Sequence, residues 1–145
     1  YPPESFDLIV AEGGVLTALK DRKRFLGIAF GLLKAKGHLY ITDLVVHSYA
    51  STRIKEFYKN YSYASEKLYK RILSFSGFKI ILCAYLSKTS WENYIRFLKS
   101  MLEQGKGIFI LPAMREFAIE ELDIYYNHGG NQGLDYIYLI ASKQE

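Results

Sequence analysis

The chain of 145 residues contains one cysteine, one tryptophan, two methionines and three prolines. Cys83 alone closes no internal disulfide, and the three histidines are scattered without zinc-site spacing. A disulfide scaffold and a zinc module are therefore excluded, no metal is expected, and a reducing, cytoplasmic setting is the expectation. Long apolar runs are also missing. The longest, Ile80 to Leu86, falls far short of the roughly 20 residues that span a bilayer. The first residues show no basic segment followed by an apolar one, so neither a membrane span nor a secretory leader is expected. Charge is sparse at 23%, and the net +4 comes from lysines and arginines before residue 72. No arginine-rich or glycine-aromatic signature accompanies that skew, so nucleic acid is an unlikely partner. No repeat or low-complexity tract interrupts the chain.

Apolar and aromatic residues are plentiful. Half of the residues are hydrophobic and 16% are aromatic, enough for one domain to bury a core and for global disorder to be excluded. Thirteen tyrosines against one tryptophan point to many positions with one apolar and one wet end, as in a pocket or an interface.

Phe6 to Glu12 is β-prone and apolar at consecutive positions, and it stops at Gly13-Gly14. That pattern predicts a strand buried on both faces. From Leu16 to Lys34 the residues Leu16, Leu19, Ile28, Leu32 and Leu33 recur at helical spacing, with Lys20 to Arg24 on a wet side. Gly37 then marks a helix stop, and His38 to Val46 reads as a second buried strand. The resulting strand-helix-strand unit makes its two strands parallel. Ser48 to Tyr63 is polar and tyrosine-rich, with short helical turns expected. A helix over Glu66 to Ser76 precedes a third strand, Phe78 to Leu86, again apolar on both sides. Ser90 to Asn127 reads as two helical pieces broken near Gly105-Lys106-Gly107 and Pro112. A turn-rich loop to Gly133 leads to a last strand, Leu134 to Ser142.

The whole is an α/β layer architecture. Its first strand reads as an interior strand without a neighbour, because an open edge normally carries charge, proline or an irregularity. Either a preceding stretch of polypeptide or another molecule is expected to supply that neighbour. A first residue of Tyr1, without an initiator methionine, adds the expectation of a trimmed chain or fragment.

At these residues the sequence resembles the C-terminal half of class I S-adenosylmethionine-dependent methyltransferases. Ser5 to Gly13 resembles the family's fourth strand and the motif at its end. Leu32-Leu33-Lys34-Ala35-Lys36-Gly37-His38-Leu39-Tyr40-Ile41-Thr42-Asp43 resembles the element that leads into the fifth strand. Ser76-Gly77-Phe78 and Tyr136 to Lys143 extend the likeness over essentially the entire chain. Ala11-Glu12-Gly13 and Trp91 are similar to the small-molecule branch. The resemblance implies a three-layer, Rossmann-like sheet made of strands four to seven, the last antiparallel. Residues 1–145 would then be the C-terminal portion of one domain whose N-terminal cofactor-binding portion is absent. Two departures stand out. Ala35-Lys36 replaces the usual Pro-Gly, leaving Gly37 for the tight backbone position. The glycine-rich loop and the ribose-binding acid of the family are missing, and Gly105-x-Gly107 is no substitute because no strand precedes it.

Methyl transfer from a sulfonium is an in-line displacement that depends mainly on positioning, with a base needed only where the acceptor must lose a proton. The resemblance implies that Ala11, Glu12 and Gly13 line the methionine side of a cofactor pocket. Glu12 either accepts from the cofactor ammonium or the acceptor, or caps the helix beginning near Val15. Asp43 and His47, at and after the end of the second strand, lie where such sheets open toward ligand. Histidines titrate near neutrality, which makes His47 a candidate base or a solvated loop residue. Asp43 is a substrate contact or a turn cap. Tyr49 and the tyrosines that follow it form a lid over an apolar acceptor or pack against the sheet edge. Trp91 walls the pocket or anchors its helix. Cys83 reads as a buried structural thiol. No catalytic residue is singled out.

The leading expectation is a methyltransferase acting on a small-molecule acceptor with S-adenosylmethionine as cofactor, the chain being its C-terminal half and inactive in isolation. The alternative is a noncatalytic α/β interaction module pairing through its exposed strand, with a second copy or with the missing half.

Overall fold

The computed structural model describes residues 1–19, 21–60, 64–105 and 107–144. Its first unit is the strand-helix-strand crossover. Strand β1 (Phe6–Ala11) is followed by a short helix α1 (Val15–Ala18), helix α2 (Arg22–Leu32) and the long strand β2 (Leu33–Val46), which pairs parallel to β1. One helix is expected over 16–34; two form instead. Leu19 turns extended, and the Asp21 carboxylate accepts from the Arg24 N–H at 2.9 Å, so the chain ends one helix and caps a new one.

Strand β2 also begins five residues before the expected His38, at the buried Leu33. The bend at its start uses its residues differently from the expectation for Gly37. The left-handed conformation falls on Lys36, with φ 63°. Gly37 is required by proximity: a Cβ there would sit 2.9 Å from the Lys34 carbonyl oxygen and 3.3 Å from that of Asp7.

Helix α3 (Thr52–Phe57) and a 3-10 turn at Tyr58–Asn60 fill the tyrosine-rich segment; Tyr61 and Tyr63 lie outside the described residues. Helix α4 (Glu66–Phe75), strand β3 (Phe78–Tyr85), helices α5 (Lys88–Gln104), α6 (Pro112–Asn127) and α7 (Gly130–Gly133), and strand β4 (Leu134–Lys143) complete the order. Serine starts three of these helices. The hydroxyls of Ser51, Ser65 and Ser87 accept from the N–H groups of Ile54, Leu68 and Ser90 at 3.4, 3.3 and 3.2 Å. Pro112 occupies the first turn of α6, where its missing N–H has no cost.

The sheet order is β1-β2-β4-β3, and β4 runs antiparallel to both of its neighbours. On one face, Leu16, Leu26, Ala29, Tyr69 and Leu73 from α1, α2 and α4 pack onto Leu39, Ile41, Val45, Ile137, Leu139 and Ala141 of the two central strands. On the other face Leu44, Val46 and Leu134 pack with Ala50, Ile54, Phe57, Tyr58 and Ile124, near the carboxyl end of β2. Helices α5 and α6 meet through Leu98, Leu102 and Ala118.

The expectation that β1 and β3 are buried on both faces is corrected. Both are edges of the described sheet. Leu8 and Val10 are each 53% exposed, Ile81 55% and Leu82 41%. Cys83 is likewise half-buried, with its Sγ 3.6 Å from the Glu66 carboxylate. A run of apolar residues marks a strand, but the count of its neighbours is a tertiary property.

Candidate functional site

Strand β1 ends in two consecutive left-handed glycines, Gly13 at φ 82° and Gly14 at φ 79°. Only glycine enters this region readily, and the turn it allows swings the chain from the strand tip into α1. Thr42 on β2 anchors the turn: its Oγ1 accepts from the Gly13 N–H at 3.0 Å and its carbonyl from the Gly14 N–H at 3.2 Å. The next residue, Asp43, is fully buried. Its carboxylate accepts from the Thr17 N–H at 3.0 Å, from the Thr17 hydroxyl, and from the Leu44 N–H at 2.8 Å. The start of α1 is thus held from the adjacent strand, and no side chain of its own caps it.

Above this floor lies a cavity of about 440 Å³, within the usual range of small-molecule sites. The β1–α1 turn contributes Gly13, Gly14, Thr17 and Ala18. Leu44 and Tyr136 come from the sheet, Tyr58 from the 3-10 turn, and Leu86 from the end of β3. Ser90, Trp91 and Tyr94 enter from α5, and Phe117 and Glu121 from α6. The cavity therefore opens at the carboxyl ends of β1, β2 and β3, where open α/β sheets bind ligands. Trp91 stacks near-parallel with Tyr94 and Tyr136, at centroid distances of 5.2 and 5.8 Å.

Glu121 is the buried acid of this cavity, 6% exposed. The Tyr58 hydroxyl donates to one carboxylate oxygen and the Tyr94 hydroxyl to the other, each at 3.1 Å. Burial raises the Glu121 carboxyl above the ordinary carboxylate range, and the two phenol hydrogen bonds oppose that rise. Burial also raises the Tyr94 and Tyr136 phenols, with the Glu121 charge adding to both.

Of the residues singled out in the sequence, Gly13 and Trp91 line this cavity. Ala11 is buried in the core beneath the strand tip. Glu12 is exposed at the tip and makes no hydrogen bond or ion pair among the described residues, so it does not cap α1. Asp43 lies under the cavity floor, its carboxylate held by the Thr17 and Leu44 N–H groups, the Thr17 hydroxyl and the Tyr69 phenol. His47 and Tyr49 are elsewhere. His47 Nε2 lies 2.6 Å from Asp135 Oδ2, and its ring stacks on Tyr49 at 4.9 Å and 6°. His47 borders a separate depression with Glu66, Lys70 and Tyr85. The Glu66 carboxyl there is lowered, first by its hydrogen bond from Lys70 and then by that from Tyr85.

Sequence reasoning missed Glu121, Tyr94 and Tyr136 as cavity residues, whereas Tyr58, one of the tyrosines expected as a possible lid, does line the cavity. One signal was available. Phe117, Ala118, Glu121, Ile124 and Tyr125 recur at helical spacing along α6, so a carboxylate occupies a position in an otherwise inward-facing stripe. Among the described residues no three His, Cys, Asp or Glu side chains gather as a metal site, and no described helix is long and apolar enough to cross a membrane.

No protein-family model matches the sequence, and neither does any curated protein. Solved structures do. The [4+2]-cyclase SpnF superposes with a TM-score of 0.76 at 19% identity, over 99% of this chain and 52% of that one. Phosphoethanolamine N-methyltransferase 2 of Haemonchus contortus, in complex with S-adenosyl-L-methionine, gives 0.75 at 18% identity, over 99% and 34%. Geranyl diphosphate methyltransferase in complex with SAM gives 0.67 at 8%, over 99% and 53%. The chain has the class I methyltransferase fold. It spans about half the length, or less, of these methyltransferase-fold structures. Within that fold, the antiparallel last strand between β2 and β3 is the one expected from Tyr136 to Lys143.

Proposed function

We propose that the chain is the C-terminal part of an S-adenosylmethionine-dependent methyltransferase domain whose acceptor is a small molecule. The observation that carries this reading is the aromatic cavity at the carboxyl ends of the parallel strands, placed directly against the Gly13-Gly14 turn. An N-terminal portion of the same domain is the proposed cover for β1. Leu8 and Val10, paired with His38 and Tyr40 on one face of the sheet, leave an apolar, hydrogen-bonding edge open.

The strand tip fits the cofactor. No atom lies within 4 Å of where a Gly13 Cβ would stand, so a ligand reaches the backbone there. The Glu12 carboxylate beside it, without a hydrogen bond or ion pair among the described residues, suits an ammonium group. When bound, S-adenosylmethionine supplies an electrophilic methyl on a sulfonium. This chain's part is to bind and orient the acceptor: Trp91, Phe117 and Leu44 supply apolar walls that exclude water, and Glu121 with its two phenols supplies polar anchorage.

A second reading, a noncatalytic module that pairs through β1, rests on that same open edge. Incubating the complete reading-frame product with methyl-labelled S-adenosylmethionine and a small-molecule extract separates the two. Label recovered in an extract component supports methyl transfer. Bound cofactor without any transfer, or no cofactor binding, contradicts it.

A further inference from the structure

The Glu121 carboxylate is buried with a hydroxyl donor on each oxygen and without a cation: no lysine, arginine or histidine among the described residues pairs with it. A desolvated carboxylate is costly unless a positive charge reaches it. The fully buried Asp43 also has no cation among the described residues, but backbone and hydroxyl donors satisfy it beneath the cavity floor. Asp7, Glu66, Glu120 and Asp123 each have a lysine, arginine or histidine within ion-pair distance. Glu121 lines the cavity, whose remaining lining is mostly aromatic and aliphatic.

We propose that this cavity binds a small organic ammonium ion, its cationic nitrogen against Glu121 and its methyl or methylene groups against Trp91, Tyr94, Tyr136 and Phe117. Aromatic rings attract such ions through their negative faces, and methylated ammonium groups carry little hydration to lose. The Trp91 indole N–H refines the ligand. It is buried without a hydrogen-bond partner among the described residues, so a ligand bearing an acceptor such as a hydroxyl, besides its ammonium, satisfies a second group of the same cavity. Taking this ion as the methyl acceptor rests on the function proposed above; the binding site itself does not.

Trp91 is the only tryptophan, so its fluorescence reports directly from the cavity wall. The test titrates the protein with choline and, separately, with 3,3-dimethyl-1-butanol, which keeps the shape and hydroxyl but lacks the charge. Choline is expected to change the Trp91 emission saturably and to bind at least tenfold more tightly than the alcohol. Glu121→Gln keeps the side-chain shape and its capacity to bond both phenols. It is expected to reduce choline affinity tenfold or more while leaving the alcohol unchanged. Equal affinity for the two ligands, no response to choline, or an unaltered choline preference in the variant overturns the proposal. A parallel titration with S-adenosylhomocysteine reads the methyltransferase proposal separately, since either ligand can bind while the other fails.

Discussion

Thr17 and Asp43, one on α1 and the other on β2, are joined twice: the backbone N–H and the side-chain hydroxyl of Thr17 both donate to the Asp43 carboxylate. This contact ties the turn beneath the cavity to the central strand. Because Asp43 also accepts from the Leu44 N–H, Asp43→Ala removes a buried acceptor shared by these three donors, of which the Thr17 hydroxyl keeps the Tyr69 hydroxyl as a neighbour. The expected loss is about 3 kcal/mol or more, read as a lowered urea midpoint. Destabilisation under about 1 kcal/mol contradicts the role assigned to Asp43.

The two ends of the crossover respond oppositely to alanine. Gly27 lies within α2 with nothing within 4 Å of a Cβ position, whereas Gly37 faces the Lys34 and Asp7 carbonyl oxygens at 2.9 and 3.3 Å. Gly27→Ala is expected to stabilise by about 0.5–1 kcal/mol through helix propensity. Gly37→Ala is expected to cost about 2 kcal/mol, because backbone must move. Thermal unfolding of both variants checks the pair of signs.

Glu121 sets a pH dependence. Its carboxyl is raised in the folded protein by burial, so the native state holds the proton more tightly than the unfolded chain. That contribution to stability is complete below the unfolded value of about 4.3 and is lost as pH rises through the higher folded value. No lysine, arginine or histidine among the described residues opposes it, while the phenols of Tyr58, Tyr94 and Tyr136 face it from the 3-10 turn, α5 and β4. Glu121→Gln removes the titration. The melting temperatures of variant and parent should lie close together near pH 4, with the variant higher at pH 7.5. A gap that shrinks as pH rises contradicts the assignment.

How much of this could be read beforehand varies with the range of the interaction. The turn at Gly13-Gly14 and the helix from Glu66 are local signals that fall where the pattern places them, whereas α5 starts at Lys88, two residues before the expected Ser90. The split between α1 and α2 was legible after all: Leu19 and Ile28, nine residues apart, fall on opposite faces of a continuous helix, and Ile28 is 53% exposed where Leu16 is buried. Whether β1 and β3 are interior or edge depends on partners far along the chain or outside it. The Glu121 cluster was hidden for the same reason: its two phenols lie 63 and 27 residues away in sequence. His47 and Trp91 both lie at plausible distances from the strand ends, but their elements turn to different sides, and only Trp91 reaches the cavity.

The open edge predicts an association behaviour. Leu8 and Val10 present apolar surface on a strand with no outer partner among the described residues. Leu8→Lys with Val10→Lys is expected to shift the 145-residue chain from self-associated species toward monomer in sedimentation velocity. Melting should change by less than about 1 kcal/mol in stability, because both side chains are already half in solvent. The same double change in the complete reading-frame product should instead abolish folding or cofactor binding, since there the edge would be interior.

The most direct measurement is calorimetric titration of S-adenosylmethionine into two samples: the complete reading-frame product and a verified monomer of residues 1–145. The account predicts micromolar binding by the complete product and none measurable by the isolated chain. Equal affinity in both samples, or no binding by the complete product, contradicts it.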